Sequence, residues 1–341
     1  MPELRLNLIT REWVIIATER ALRPEEFYRQ NGEAATPADQ CVPAPAYVDG
    51  CPFCPGNEDN TPDEIMRLPQ SGEWQVRVTP NKFPALSEHS DKTRLNNGVC
   101  HSMGGYGRHE VVIETPSHHG YIANMSLAEI EVLLQTYQIR FHTLYQDPDI
   151  EHIIIFKNHG EAAGTSLIHP HSQIIAMPLA PMQVRDRVES CRRYFDDTGE
   201  CLMCASIMDE ISDGSRMLLD TEHFVSFIPY AALSPFHIWI FPKRHEACFG
   251  NISEHERADI ARHLKHVLER LFVGLNNPGF NYVIRSAAPN ANVDDFHWYI
   301  SLVPRVNQPA GFELGSGMYI NTSIPEESAE FLRQVRLRTG D

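Results

Sequence analysis

The feature of the sequence that most constrains its fold is an internal repeat. Each half of the chain contains, in the same order, a Cys-x-x-Cys pair, an apolar strand followed by proline and histidine, an amphipathic helix, another strand and a final histidine. The cysteine pairs are Cys51/Cys54 and Cys201/Cys204. Because one order of features occurs twice, the sequence predicts two similar folding units fused in one chain.

The helices of the two halves set the alignment of the repeat. Ser126 and Ser253 each precede a long segment with an apolar stripe, and a glutamate follows each serine three residues later, which is the capping-box pattern of a helix start. Both serines lie eight residues after a histidine, His118 in the first half and His245 in the second. This spacing favours His118 over its neighbour His119, although a one-residue shift in a loop would reverse the choice.

The repeat also predicts the fold class and the division of the chain. We expect an α+β fold in which each half contains an antiparallel sheet with helices, the two halves together forming a pseudo-dimer. The halves are placed at residues 1–180 and 181–341, joined near residues 178–198, where prolines give way to a charged helical stretch. A chain of 341 residues is long enough for two domains of ordinary size.

The repeated cysteines and histidines have the spacing of structural zinc sites. Zinc in such sites takes four thiolate or imidazole ligands in a tetrahedron, and a Cys-x-x-Cys turn supplies two of them. Since four protein ligands leave no position for water, both ions are predicted to stabilise the fold and to take no part in the chemistry. The expected ligands are Cys51, Cys54, His118 and His169 for one zinc and Cys201, Cys204, His245 and His297 for the other.

Charge and hydropathy exclude several classes of partner. The formal net charge is −16, so nucleic acid, itself a polyanion, is not an expected partner. The sequence has no run of about 18 apolar residues, and its N-terminal stretch mixes charges with apolar residues, so we expect no membrane span and a cytoplasmic location. A small anionic ligand would need local cations, for which the candidates are Arg20, Arg23, Lys157, Lys243, Arg244 and Arg305.

The difference between the halves indicates where catalysis takes place. The same-face strand residues that follow the final histidine are His171 and Gln173 in the first half but Tyr299 and Ser301 in the second. A neutral imidazole, with a pKa of about 6.5, is nucleophilic at cytoplasmic pH and needs no separate base. We therefore expect His171 to attack phosphorus and Gln173 to donate its amide to a phosphate oxygen. A zinc ligand two residues before His171 would hold the strand still.

A loop of small residues precedes this strand. Residues 160–166 read GEAAGTS, and their amides and hydroxyls are predicted to cradle a diphosphate. Gly164, Thr165 and Ser166 are accordingly candidate contacts to the phosphates of a substrate.

The segments FKNHGEAAGTSLIHPHSQ, CPFC and GRHEVVIETPSHH resemble the galactose-1-phosphate uridylyltransferase family of the histidine-triad superfamily, and the resemblance covers nearly the whole chain. It implies two fused histidine-triad-like halves and allows a homodimer. It also implies that a nucleotide sugar transfers its nucleoside monophosphate to His171, from which a sugar 1-phosphate or phosphate then collects it. The other residues that it implicates are Gln173 and Ser166 at the phosphate, Asn158 as an orienting group, Arg20, Arg23 and Asn81 at the nucleotide, and Glu313 at a hexose hydroxyl.

Several positions depart from the best-known bacterial members of that family. Lys82 stands where an acidic residue is expected, and residues 307–310 lack the lysine and phenylalanine of the sugar site. The histidines of a second, iron-type site are replaced, which leaves Glu189 without those partners. The replacing residues are Ser286, Ser301 and Val303. Together with GFELGSGMYIN and PKRH, these departures resemble the two-zinc branch of the family, which includes plant enzymes that phosphorolyse ADP-glucose.

The sequence therefore leaves two reactions open. Our first choice is a UDP-glucose:hexose-1-phosphate uridylyltransferase reaction, and adenylyl transfer from ADP-glucose to inorganic phosphate is the alternative. A zinc-stabilised binding protein without activity is a third hypothesis, although a scaffold has no physical need to keep histidine, serine and glutamine together in one half. A nucleotide hydrolase of the same superfamily would differ in discharging the intermediate rapidly to water.

Overall fold

The structure, a computed structural model, describes residues 1–18, 26–27, 45–289 and 294–337. Its strands are β1 (Glu3–Asn7), β2 (Glu12–Ile16), β3 (Met66–Leu68), β4 (Val76–Pro80), β5 (Arg94–Asn97), β6 (Cys100–Met103), β7 (Arg108–Ile113), β8 (His152–His159), β9 (His171–Met177), β10 (Met217–Asp220), β11 (Phe224–Phe227), β12 (Ile238–Pro242), β13 (Phe280–Arg285), β14 (Tyr299–Pro304) and β15 (Tyr319–Asn321). Its helices are α1 (Leu127–Leu144), α2 (Met182–Thr198), α3 (Leu202–Asp213), α4 (Glu254–Gly274), α5 (Gly311–Ser316) and α6 (Pro325–Gln334).

Ten of the strands form one antiparallel sheet in the order β10-β11-β12-β14-β13-β8-β9-β7-β4-β3. Read outward from the centre, β8, β9, β7, β4 and β3 of the first half correspond to β13, β14, β12, β11 and β10 of the second. The structure confirms the α+β fold with antiparallel strands and helices. It adds that the two halves join edge to edge, because β8 pairs with β13 and the two strands satisfy each other's main-chain groups.

Helices α1 and α4 occupy equivalent positions in the two halves. Both begin with the predicted capping box, in which the serine side chain accepts from the amide of the glutamate and the glutamate side chain accepts from the amide of the serine. The serines are Ser126 and Ser253. The two helices contact each other, and their apolar residues, among them Leu133 and Leu264, lie in one core with strand residues of both halves.

A smaller sheet of β1, β2 and β15 brings the N-terminal segment of the chain beside a C-terminal one, since β15 pairs in parallel with β2. Strands β5 and β6 form a separate hairpin. Within the described ranges, no helix is both long and apolar enough to span a bilayer.

Candidate active site and metal centres

The first predicted metal centre is assembled in the N-terminal half. The ligand atoms of Cys51, Cys54, His118 and His169 all lie within 4.8 Å of one another, and His119 is not part of the group. His169 donates from Nε2 to the carbonyl oxygen of Thr115 at 2.8 Å. Because a carbonyl can only accept, the lone pair of His169 is on Nδ1, which lies 3.6 Å from both cysteine sulfurs. Four soft or borderline donors therefore converge on one buried point.

The second centre is less complete. Cys201, Cys204 and His245 lie together, with His245 Nδ1 3.2 Å from the sulfur of Cys204, whereas His297 is outside this group. The His297 ring nevertheless lies 5.5 Å from the His245 ring at an interplanar angle of 80°, close to the 5.3 Å and 84° between His118 and His169. A hydrogen bond from Cys204 lowers the pKa of the Cys201 thiol to about 6, so one of these thiols is ionised near neutral pH.

His171 is the first residue of β9 and is 8% exposed. Its Nδ1 lies 2.9 Å from the carbonyl oxygen of His169, so the proton of the neutral ring is on Nδ1 and the lone pair is on Nε2. Burial lowers the pKa of His171, which favours this neutral form. The ring of Phe53, from the Cys51–Cys54 turn, packs against the His171 ring with centroids 5.4 Å apart. The Cys51–Cys54 turn thus contacts the candidate nucleophile directly.

A buried polar network contacts the main chain of His171. Lys157 Nζ donates to Glu114 at 2.5 Å and to the carbonyl oxygen of His171 at 3.3 Å, and the two charged side chains are 1% and 0% exposed. Tyr137 donates to the hydroxyl of Ser172 at 2.6 Å. Lys157 was a candidate cation for a ligand, but its ammonium group is engaged by Glu114. No sequence pattern indicated this pairing, because the two residues are 43 positions apart.

Gln173 is held in one orientation by a residue that sequence reasoning missed. The amide of Ala85 donates to His109 Nδ1 at 3.1 Å, so the proton of His109 is on Nε2, which donates to Gln173 Oε1 at 2.7 Å. Asn81 also lies 3.4 Å from that oxygen. Because the carbonyl of Gln173 is occupied, its NH₂ group remains available as a donor. In the sequence, His109 is only a histidine followed by an apolar strand. That pattern does not show that its partner is Gln173 on β9.

Two cavities open on either side of His171, with volumes of about 430 and 530 Å³. His171 and Ser166 line both of them. Asn158 and Thr165 line the smaller cavity, and Asn81 and Gln173 line the larger one. Most of the predicted site is therefore brought together around one imidazole.

The loop before β9 turns at a glycine. Gly164 ends a 3₁₀ turn with φ at 86°, a left-handed conformation that glycine adopts without strain. Thr165 Oγ1 donates to the carbonyl of Leu167 at 3.0 Å. Asn158 Oδ1 accepts from Asn281 Nδ2 at 2.7 Å, which ties this loop region to the second half.

Of the predicted substrate contacts that the structure describes, Glu313 is not at this site. Glu313 lines a different cavity, in the C-terminal half, and its carboxylate accepts from the amide of Ala310 at 2.9 Å. Arg20 and Arg23 lie outside the described residues. Two of the other candidate cations, Lys243 and Arg244, are paired with carboxylates.

The sequence is similar to a known protein family and to characterised members of it. Residues 1–181 match the family described as galactose-1-phosphate uridyl transferase, N-terminal domain, and residues 187–304 match the corresponding C-terminal domain. The chain is 34% identical to the ADP-glucose phosphorylase of Arabidopsis thaliana, over 98% of this chain and 93% of that protein. It is 28% identical to the galactose-1-phosphate uridylyltransferase of Thermotoga maritima, over 99% of each.

Solved structures of similar proteins have the same fold as this chain. The crystal structure of an ADP-glucose phosphorylase from Arabidopsis thaliana with bound ADP-glucose matches with a TM-score of 0.82 and 32% identity, covering 99% of this chain and 100% of that chain. A uridylyltransferase structure with a TM-score of 0.74 and 23% identity, covering 98% and 97%, has the same fold.

Proposed function

The chain belongs to the galactose-1-phosphate uridylyltransferase family, and we propose that it transfers a nucleoside monophosphate from a nucleotide sugar through a covalent bond to His171. As a member of this family it is a nucleotidyltransferase. The observation that carries the proposal is the tautomer of His171: Nδ1–H is bound to the carbonyl of His169, which leaves the lone pair of Nε2 for attack beside two cavities.

The residues around His171 account for both half-reactions. In the first, Nε2 forms a bond to the inner phosphorus of the nucleotide sugar, and the bond to the sugar phosphate oxygen breaks with its electron pair on that oxygen. In the second, an oxygen of the acceptor phosphate attacks, and the phosphorus–nitrogen pair returns to Nε2. The Nδ1 proton stays bound to the His169 carbonyl throughout, which stabilises the positive charge on the nucleotidylated ring. Ser166 and the free amide of Gln173 would donate to the non-bridging oxygens.

Two donor and acceptor pairs fit this mechanism. Uridylyl transfer from UDP-glucose to a hexose 1-phosphate is supported by similarity to the Thermotoga maritima enzyme over the whole chain. Phosphorolysis of ADP-glucose is favoured by the 34% identity with the Arabidopsis thaliana enzyme. A panel of UDP- and ADP-sugars, each offered inorganic phosphate or galactose 1-phosphate, distinguishes them by which pair turns over. A product that forms with water alone would instead identify a hydrolase.

The covalent step has a direct test. Incubating the protein with a nucleotide sugar and no acceptor should add the mass of one nucleoside monophosphate to the peptide that contains His171, in an acid-labile bond. His171→Asn should abolish the adduct, while His101→Asn, a change at an exposed histidine on β6, should keep it. An adduct that persists in His171→Asn, or no adduct in the wild type with any nucleotide sugar, would exclude the proposed intermediate.

We further propose that both cysteine–histidine groups hold structural zinc. The first group offers four donors within 4.8 Å of one another. In the second, Nε2 of His297 is buried without a hydrogen-bond partner among the described residues, as expected for a nitrogen that binds an ion. The cysteines that the structure describes form no disulfide, which also fits the cytoplasmic location expected from the sequence. Metal analysis should give about two zinc ions per chain. Cys201→Ser should reduce this to about one, whereas Cys191→Ser, at a buried cysteine outside both groups, should not.

The position of Glu313 supports a homodimer. In one chain this residue does not line the His171 cavities, so a role at a hexose hydroxyl requires the site of a second copy. Mixing His171→Asn and Glu313→Ala chains should then restore part of the activity that each variant lacks. We also propose that the two repeat units divide at residues 1–180 and 181–341.

A further inference from the structure

A cavity of about 220 Å³, lined mostly by residues of the second half, shares no lining residue with the two cavities at His171. We propose that this C-terminal cavity, lined by Glu12, Arg187, Ser234, His237 and Arg285, binds a phosphate group as a free ion or as part of a phosphorylated metabolite. Its volume is several times the roughly 30 Å³ that one water molecule occupies in the liquid. A tetrahedral oxyanion with a few atoms attached fits this space.

Two of the arginines that line the cavity, Arg187 and Arg285, form no ion pair with any described residue. Arg187 is 9% exposed and donates from Nη1 to the carbonyl of Gln183 at 2.7 Å. The Nε atoms of Arg187 and Arg285 are both buried and have no hydrogen-bond partner within the described part of the chain. Burial, with a smaller contribution from the charge of Arg187, lowers the pKa of Arg285. Buried cationic donors without partners are costly, and an anion between them would relieve that cost.

His237 adds a neutral donor to the same cavity. The ring is 3% exposed, and its Nε2 accepts from the indole nitrogen of Trp239 at 3.1 Å. Because an indole nitrogen only donates, the proton of neutral His237 is on Nδ1. Nδ1 has no hydrogen-bond partner among the described residues, and the same holds for the hydroxyl of Ser234. The four residues that carry these buried donors, none with a partner in the described part of the chain, therefore line one cavity.

Glu12 gives the cavity a means to select phosphate. Its Oε2 is buried and lacks a donor within the described ranges. Phosphate near neutral pH retains a P–OH group, which can donate to a carboxylate, whereas sulfate has no proton to give and would face repulsion from it. The carboxylate of Glu12, in the same cavity as Arg187 and Arg285, therefore favours inorganic phosphate over sulfate.

The repeat explains why this cavity would bind and not react. Ser301 on β14 pairs with Trp239 on β12, and Gln173 on β9 pairs with Val111 on β7 in the same way. The cavity therefore occupies the position in the second half that the His171 site occupies in the first. Tyr299 takes the position of the nucleophile, and on the neighbouring strand it is paired with Arg285. A cation has thus been added where the nucleophile is absent. A ligand at this position has no imidazole to attack it.

Calorimetric titration of the full-length protein with inorganic phosphate tests the proposal. Arg285→Gln should weaken one binding event at least tenfold, and Ser234→Ala, which keeps the charges, should weaken it severalfold. Arg262→Gln, at an exposed arginine on α4, is the matched control and should bind as the wild type. Circular dichroism melting confirms that each variant is folded.

Further titrations separate the possible ligands. Sulfate should bind at least tenfold more weakly than phosphate to the wild type, and Glu12→Gln should reduce this difference. In the binding event that Arg285→Gln weakens, a higher affinity for glucose 1-phosphate than for inorganic phosphate would identify a phosphorylated metabolite as the ligand, and the reverse order would identify the free ion. Phosphate affinity that neither Arg285→Gln nor Ser234→Ala changes, or no measurable binding by the wild type, would overturn the proposal.

Discussion

The ion pair behind the candidate nucleophile allows a quantitative prediction. Lys157 and Glu114 are 1% and 0% exposed, with Nζ and Oε2 2.5 Å apart. Replacing Lys157 with methionine keeps most of the side-chain volume and leaves Glu114 without its counter-charge. The hydroxyl of Tyr137 lies 3.4 Å from that carboxylate, which is long for a hydrogen bond to an ionised group, and it donates to Ser172 instead.

The expected cost follows from burial. At an effective dielectric constant near 20, the attraction at this distance is on the order of 7 kcal/mol, much of which is offset by desolvation of the two charges. Removing one partner of a buried pair typically costs about 3–5 kcal/mol, because the other charge stays uncompensated. We therefore expect Lys157→Met to lower the free energy of unfolding by about 3–5 kcal/mol.

Urea unfolding of the metal-loaded protein, compared at constant m value, measures this change. The double variant Lys157→Met/Glu114→Leu removes both charges and should regain most of the loss, since apolar residues often replace a buried pair without penalty. The control Lys243→Met breaks a pair with Asp220 that has the same 2.5 Å separation but is 35% and 51% exposed. It should cost no more than about 1 kcal/mol. If Lys157→Met costs less than this control, or the double variant is no more stable than the single one, the reasoning is wrong.

Three further changes test other parts of the site and fold. His109→Ala removes the hydrogen bond to the carbonyl of Gln173 and should lower kcat by about 10- to 100-fold, with a smaller change in KM. Steady-state kinetics measures both constants, and an unchanged kcat would exclude a positioning role for His109. Phe53→Ala removes the ring against His171 and should destabilise the protein by about 3–5 kcal/mol in urea unfolding, unlike an exposed Phe83→Ala. Ser253→Ala breaks a capping box and should cost about 1 kcal/mol, with a Ser253→Asp variant restoring most of it; no loss in the alanine variant would contradict the assigned cap.

The sequence alone determined the features that depend on local spacing. Both capping boxes were predicted and confirmed, because a serine and a glutamate three residues apart define a helix start wherever the helix packs. The α+β fold followed from the repeated order of strands and helices. The grouping of Cys51 and Cys54 with two distant histidines could be proposed because the same spacing occurs twice in one chain.

Tertiary structure decided what depends on pairing between distant segments. Strands β8 and β13 pair with each other and join the two halves in one sheet. The sequence of these strands would be the same if each half formed a separate sheet, so the sequence does not predict the pairing. The bond from His109 to Gln173 depends on the register between β7 and β9. The placement of Glu313, Arg187 and Arg285 in one cavity that does not include His171 depends on how the halves pack. Contacts between side chains that are distant in sequence depend on strand order and register, and local sequence patterns do not determine either of these.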